Sequence, residues 1–177
     1  MPQLANKKVL VVGLGGRGRA ACGLLRKHGA FVVGVDGADT ASLRANTAAL
    51  KADGVDVRLG ATSAPPLPFD LAVVSPAVRP ASPLYRDVLA KKLPVLGELE
   101  LAYQLAKCLA IAITGTNGKG TTAELVERIL LADHRRALTA GHRAHPVCSV
   151  VEQTRDLDFL ILQVKAQQLE LTEFFRP

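Results

Sequence analysis

The sequence has no tryptophan and only one methionine, and aromatic residues make up 4% of its 177 positions. Proteins that bind single-stranded nucleic acid usually interleave aromatic and basic side chains, so this shortage argues against such a function. The net charge of +6 is not concentrated in a run. Diffuse positive charge is typical of a solvated surface and also suits an anionic ligand. We therefore expect no nucleic-acid partner.

Long apolar runs are also missing, since no stretch approaches the ~20 residues that a transmembrane helix needs. The N-terminus enters a strand-like run by Lys7 and lacks the layout of a signal peptide. The three cysteines, Cys22, Cys108 and Cys148, are scattered and show no metal-ligand spacing. We expect buried thiols in a cytoplasmic protein that has no membrane partner.

Strand and helix patterns alternate from the beginning of the chain. Strands are predicted at 8–12, 31–35, 55–58, 71–74 and 94–96, and helices at 17–28, 40–52 and 82–91. Alternation of short buried strands with helices is typical of a parallel sheet covered by helices on both faces. Residues 1–96 are therefore predicted to form a Rossmann-like α/β domain.

A second, shorter unit follows a predicted connecting helix at 97–108. Its strands are predicted at 109–113, 136–139 and 158–164 and its helix at 119–132, while 147–152 fits a strand or a helix equally well. Residues 109–177 would form a thin sheet with exposed edges, which is unusual in a stable domain. Either the chain is part of a longer protein or a partner covers an edge, for example in self-association.

The first of two glycine-rich loops is "GLGGRG", with Gly13, Gly15 and Gly18 between a predicted strand and a predicted helix. Glycines permit a tight turn, and the helix N-terminus offers unpaired N–H groups to an anion. Asp36 ends the next strand, where its carboxylate can accept hydrogen bonds from a nucleotide. The spacing alone favours a dinucleotide such as NAD.

The second loop is "ITGTNGKGTT" at 113–122. It lacks the first glycine of the common phosphate-binding loop because Ile113 stands there, but it supplies consecutive backbone N–H groups and Lys119 for the phosphates of a nucleotide. The position after the lysine, where a Ser or Thr usually helps to hold a metal ion, is Gly120.

The string "TGTNGK" resembles the ATP loop of the Mur ligases and of folylpolyglutamate synthase, which form amide bonds through acyl phosphates. The order of "GLGGRG", Asp36, "VVSPAV" (73–78), "GELEL" (97–101) and the ATP loop is similar to that of the Mur ligases that add D-glutamate to UDP-N-acetylmuramoyl-L-alanine in peptidoglycan precursor synthesis. The similarity extends over essentially the whole chain. It implies a P-loop-type central domain, and a first domain that binds the UDP of the substrate rather than NAD.

The resemblance also implies which residues bind each ligand. The residues implied for the UDP substrate are Gly15, Gly16, Arg17, Gly18, Asp36, Ser75, Pro76 and Ala77. Those implied for the ATP phosphates are Gly115, Thr116, Asn117, Gly118, Lys119, Gly120 and Thr121.

Several residues depart from the family pattern near the expected Mg²⁺ site. Gly120 replaces the Ser or Thr, and Gln163 replaces a metal-binding Glu in "QVKAQQLE". Lys165 stands where the family has a Ser, and in "AGHRA" (140–144) His142 replaces an Asn. A neutral amide cannot supply the charge that a hard cation prefers, so Mg²⁺ and ATP are doubtful in this chain and no residue is identified as catalytic.

Three hypotheses remain. In the first, the chain is the N-terminal part of a ligase and is active only with the later half of the ATP domain and a third domain, for which 177 residues leave no room. In the second, which the substitutions favour, it is a non-catalytic relative that keeps the fold and binds a UDP-sugar or nucleotide. The third is an NAD-dependent oxidoreductase, which is remote because no substrate domain follows the first loop.

Overall fold

A computed structural model describes residues 3–142 and 144–177 and contains two parallel sheets. The first consists of β1 (Lys8–Val12), β2 (Phe31–Asp36), β3 (Asp56–Leu59), β4 (Leu71–Val74) and β5 (Val95–Gly97), in the order β3-β2-β1-β4-β5. All four strand pairs are parallel. The predicted α/β class is thus confirmed, and the strand bounds differ from the predicted ones by one residue at most.

The connecting segments of the first sheet are α1 (Gly16–Lys27), α2 (Ala41–Ala52) and α3 (Pro83–Ala90). Two of these helices begin with an N-terminal side-chain cap, as their sequences indicate. The hydroxyl of Thr40 accepts the N–H of Leu43 at 3.2 Å, and that of Ser82 accepts the N–H of Tyr85 at 3.3 Å. Such caps satisfy backbone donors that the helix itself cannot pair, and so fix where α2 and α3 start.

The second sheet has three strands, β6 (Leu109–Ile113), β7 (Ala137–Ala140) and β8 (Phe159–Gln163), in the order β6-β8-β7. Its helices are α5 (Lys119–Ala132), α6 (Val147–Val150) and α7 (Ala166–Leu169). The ambiguous segment 147–152 is helical, and a 3-10 helix continues it over Val151–Asp156. The helical form buries Val147, Cys148 and Val150 together, as one side of a short strand could not.

A helix, α4 (Glu98–Leu105), lies where the connecting helix is predicted, and most of its residues are buried. Its Leu99, Leu101 and Leu105 belong to one apolar cluster with residues of α1, α6 and β8. The second sheet and the first part of the chain therefore share one apolar cluster. Because the core is continuous, groups from both sheets lie close to one another.

The other side of the second sheet is sparsely covered. Of the 14 residues of α5, Ala123 is the one that is buried, while Leu125 and Ile129 are more than half exposed. The edge strand β6 begins at Leu109, which is 67% exposed. Within the described ranges, no helix combines the length and the hydropathy needed to cross a bilayer.

Candidate functional site

The first glycine loop is built so that α1 packs directly on the end of β1. Gly13 has a φ of +86°, in the left-handed region that favours glycine. A Cβ at Gly18 would lie 1.8 Å from the carbonyl oxygen of Gly13, so the close approach of helix and loop needs glycine there. No side chain caps α1 at Gly15, and no acidic residue lies in its first turn. The positive end of the helix is therefore available to an anion.

Asp36 braces this loop from the neighbouring strand. Its Oδ2 accepts the N–H of Leu14 at 2.7 Å, and its Oδ1 accepts the N–H of Ala38 at 2.9 Å. Each carboxylate oxygen keeps a further lone pair that a ligand donor could use. The predicted acidic residue thus lies at the loop, with both oxygens already engaged by the backbone.

A cavity of about 470 Å³ opens at the carboxyl ends of the first sheet's strands. Such a position is where parallel sheets usually bind ligands. The cavity is lined by Gly13, Gly15, Asp36, Gly37, Ala61, Thr62, Ser75, Ala77, Val78, Arg79, Ser82, Pro83 and Leu84. Four of the eight residues predicted to bind the UDP substrate are among them, from three separate strand ends.

The other four predicted residues, Gly16, Arg17, Gly18 and Pro76, do not line this cavity. Thr62 and Arg79, by contrast, line it without having been predicted from the sequence; they follow β3 and β4 and reach the cavity through the strand order. Loops at the carboxyl ends of parallel strands share one edge of the sheet, and that rule was the available signal for both.

Arg17 points toward the second sheet. Its Nη2 donates to the carbonyl of Gly141 at 2.9 Å, and its Nε lies 3.9 Å from Oε2 of Glu98. Neither Nε nor Oε2 has a hydrogen-bond partner within the described residues. Glu98 is 1% exposed, and its other oxygen accepts the N–H of Cys148 at 2.7 Å. Burial raises the pKa of Glu98, against the opposing effects of the Cys148 N–H and of Arg17.

The second glycine loop lies between β6 and α5, and the seven residues predicted for the ATP phosphates are contiguous there. Residues 114–118 are exposed, and Gly115 and Gly118 have positive φ values of 147° and 77°. The ammonium of Lys119 donates to the carbonyls of Gly115 and Thr116 at 2.5 and 3.2 Å. The lysine thus holds the loop closed on itself, in the position from which it could contact an anion.

The expected metal position lies in a second cavity, of about 580 Å³, between α5 and the ends of β7 and β8. Its lining includes Gly120, Glu124, Glu127, Leu138, Thr139, His142, His145 and Gln163. A Cβ at Gly120 would lie 3.8 Å from Oε1 of Gln163, so two of the substituted positions face each other. Lys165 does not line this cavity; it precedes α7, where its N–H donates to Gln168. Arg143 of "AGHRA" lies outside the described residues.

The groups at this position do not fit Mg²⁺. Gly120 offers no side chain and Gln163 offers a neutral amide, whereas a hard cation prefers carboxylate oxygen. The two carboxylates that line the cavity are engaged elsewhere, that of Glu124 with Arg128 and that of Glu127 with the N–H of Thr139. Across residues 3–142 and 144–177, no group of three or more His, Cys, Asp or Glu side chains could hold a metal ion. The ring centroids of His142 and His145 are 4.9 Å apart. Burial, His145 and Arg17 lower the pKa of His142, which favours its neutral form.

The cysteines are free thiols. Cys22 and Cys148 are buried and Cys108 is half-buried. Burial raises the pKa of Cys22 to about 12 and that of Cys148 well above its ordinary value. Both are therefore protonated, poorly nucleophilic packing residues at neutral pH, as the sequence predicts.

Sequence comparison finds no matching family model, but it finds curated relatives along the whole chain. The UDP-N-acetylmuramoylalanine–D-glutamate ligase of Acidobacterium capsulatum is 40% identical over an alignment of 178 positions, covering 99% of this chain and 38% of the relative. The ligase of the same name from Thermoanaerobacter pseudethanolicus is 35% identical, and its alignment covers 99% of this chain and 39% of the relative. The chain thus spans about two fifths of the length of these relatives.

Solved structures give the same picture of the fold. The UDP-N-acetylmuramate:L-alanyl-gamma-D-glutamyl-meso-diaminopimelate ligase from Neisseria meningitides aligns with a TM-score of 0.58 at 16% identity, over 96% of this chain and 55% of that one. The UDP-N-acetylmuramate–alanine ligase MurC from Thermotoga maritima aligns with a TM-score of 0.50 at 26% identity, over 75% and 31%.

Proposed function

The chain belongs to the Mur ligase family, and we propose that its first cavity binds UDP-N-acetylmuramoyl-L-alanine or a related UDP-sugar in the cytoplasm. The observation that carries this proposal is the cavity at the carboxyl ends of the first sheet's strands. It has a nucleotide-sized volume of about 470 Å³ and lies at the start of α1. Gly15, Asp36 and Ser75 line it together although they lie far apart in sequence.

Each side of the cavity has a role in binding. The glycine loop brings backbone N–H groups and the positive end of α1 close to the ligand, which suits a diphosphate. Asp36 holds this loop in shape through Leu14. Ser75 and Ala77 form another wall, after β4. Small side chains on both walls leave room for a flat base and a ribose between them.

The chain by itself does not catalyse ligation on this proposal. Phosphoryl transfer depends on positioning and charge neutralisation, much of which metal ions supply. The hydroxyl and the carboxylate expected around the ion are replaced by Gly120 and Gln163, which face each other in the second cavity. Losing both groups costs several orders of magnitude in rate. Lys119 can still attract a phosphate as a point charge.

Separate titrations with UDP-N-acetylmuramoyl-L-alanine and with ATP, followed by calorimetry, test the proposal. We expect micromolar binding of the UDP compound and no binding of ATP. Gly13→Val is a suitable variant, because a Cβ there would lie 2.6 Å from a methyl of Val78 at the cavity wall, and it should abolish binding. Measurable ATP turnover by this chain alone would contradict the non-catalytic assignment.

A second candidate is that the chain acts as the first part of an active ligase. The length of the relatives favours it, since about three fifths of each lies outside the match. Adding the matching remainder of a relative as a separate polypeptide, with UDP-N-acetylmuramoyl-L-alanine, D-glutamate, ATP and Mg²⁺, tests it. Release of phosphate that requires both polypeptides would support this candidate over the non-catalytic one.

The open edge of the second sheet supports self-association. An exposed strand edge presents unpaired backbone groups that readily pair with another chain. Strand β6 forms such an edge, and its Leu109 is 67% exposed. Light scattering over a range of protein concentrations should show a dimer or larger species, whereas a clean monomer at high concentration would exclude this.

A further inference from the structure

Among the described residues, the lining of the first cavity has one cationic side chain, that of Arg79. The one acidic residue there, Asp36, has both carboxylate oxygens engaged by the N–H groups of Leu14 and Ala38. The cavity therefore combines a hydrogen-bonded carboxylate with an arginine, and the arginine is the charged side chain that can donate hydrogen bonds to an anion.

The backbone around Arg79 is held in place by two consecutive turns. The N–H of Val78 donates to the carbonyl of Ser75 at 2.9 Å, and the N–H of Ser82 donates to the carbonyl of Arg79 at 2.9 Å. The turns connect the end of β4 to the first residue of α3. The base of the Arg79 side chain is thus fixed at the cavity wall.

The guanidinium of Arg79 is available to bind a ligand. It is exposed, and within the described residues it takes part in no hydrogen bond or ion pair. Arg17, which the family resemblance assigns to the UDP substrate, donates instead to the carbonyl of Gly141 and lies beside Glu98, outside the cavity lining. Moving Arg17 to a ligand would leave Glu98, which is 1% exposed, without its nearby cation.

Two helix N-termini border the same cavity and add to its positive potential. Gly15 caps α1, and Ser82 and Pro83 begin α3. Arg79 lies between β4 and α3, on the wall that Ser75 and Ala77 also form. An anionic group in the cavity would be within the positive field of both helix ends and of the guanidinium.

We propose that Arg79, rather than Arg17, is the cation that binds the phosphate groups of the nucleoside diphosphate and makes the cavity select a charged nucleotide over an uncharged nucleoside. This assignment rests on the proposed binding of a UDP compound. A guanidinium can donate two parallel hydrogen bonds to a phosphate, so a single arginine can provide both charge and orientation. The base and ribose would be held by the remaining wall residues.

Calorimetric titrations with UDP and with uridine test the assignment, because the two ligands differ only in the phosphates. In the parent chain we expect UDP to bind more tightly than uridine. Arg79→Ala should weaken UDP binding by about tenfold to a hundredfold and leave uridine binding unchanged. Arg79→Lys should retain part of the preference for UDP, since it keeps the positive charge but cannot donate two parallel hydrogen bonds. Arg79→Gln serves as a second neutral variant.

Arg86→Ala is the matched control, since Arg86 is also exposed, lies in α3 and does not line the cavity. It should preserve both affinities. A preference for UDP that survives in Arg79→Ala and Arg79→Gln, or that is lost in Arg17→Ala alone, would overturn the assignment while leaving UDP binding itself in place. If the parent chain binds neither UDP nor uridine, both the proposed function and the assignment of Arg79 fail.

Discussion

Two of the three glycines of α1, Gly18 and Gly23, allow the packing of the first glycine loop to be tested within one helix. Gly18 faces the loop, and a Cβ there would lie 1.8 Å from the Gly13 carbonyl oxygen and 2.9 Å from its carbon. Gly23 lies in the middle of the same helix, and a Cβ there would meet nothing within 4 Å. We therefore compare Gly18→Ala with Gly23→Ala.

The structure sets the magnitudes. Real Cβ atoms essentially never lie closer than 3.0 Å to such a neighbour, so the methyl added by Gly18→Ala must push α1 and the loop apart by about 1 Å. That movement strains the bond between the N–H of Gly13 and the carbonyl of Val35, now 2.8 Å long. Overpacking and the weakened bond cost about 3 kcal/mol, whereas Gly23→Ala should stabilise by about 1 kcal/mol through helix propensity.

Urea denaturation followed by circular dichroism measures the difference. With a slope of about 2 kcal/mol per molar urea, the midpoints of the two variants should differ by about 2 M, with the parent between them. The Gly18 variant should also bind UDP more weakly, since its loop is displaced. Equal midpoints for the two variants would refute the close contact between α1 and the loop.

Three further perturbations follow from the buried carboxylates and the second cavity. Since burial raises the pKa of Glu98 above its usual 4.5, the folded state holds that proton to higher pH; the free energy of unfolding should therefore fall as pH rises from about 4.5 through the raised pKa. Glu98→Gln should remove this pH dependence of the free energy of unfolding. Glu170→Gln, which changes an exposed carboxylate, should leave the pH dependence unchanged. Urea titrations at a series of pH values measure both effects. Joint replacement Gly120→Ser and Gln163→Glu should create Mn²⁺ binding detectable by electron paramagnetic resonance, because the two positions face each other; a spectrum like that of the parent would contradict this geometry. The carboxylate of Glu100 accepts the N–H groups of residues 173 and 174 at 3.0 and 3.2 Å, so Glu100→Ala should speed hydrogen exchange of those two amides at least about tenfold, and unchanged exchange would show that the bonds are not what protects them.

The elements of this fold are encoded locally, and local patterns predicted them well. Strand β1 is a short run of buried aliphatic residues, and the caps at Thr40 and Ser82 act on residues three positions later. The segment 147–152 could not be assigned from the sequence, because its β-branched residues favour a strand while so short an apolar run also fits a buried helix. Packing against α1 and α4 decided in favour of the helix.

The candidate site was also predicted in part from the sequence and decided in part by packing. The glycine loops, Asp36 and the replaced residues Gly120 and Gln163 were identifiable from residue type and order. The direction of a long side chain could not be predicted from the sequence, because it depends on neighbours that are distant in sequence. Arg17 donates to the carbonyl of Gly141, which lies 124 positions away, and does not line the first cavity. Lys165 likewise precedes α7 and does not line the second cavity.

The sequence by itself determined the alternation of strands and helices, the two phosphate-type loops and the family of the protein. These depend on short-range periodicity, on glycines that the backbone requires and on the order of motifs. The tertiary structure decided that α4 is buried, that Gly120 faces Gln163, and that Arg79 rather than Arg17 lies at the first cavity. Each of these follows from the packing of helices and strands that are distant in sequence or from strand order, which bring together residues that no local pattern relates.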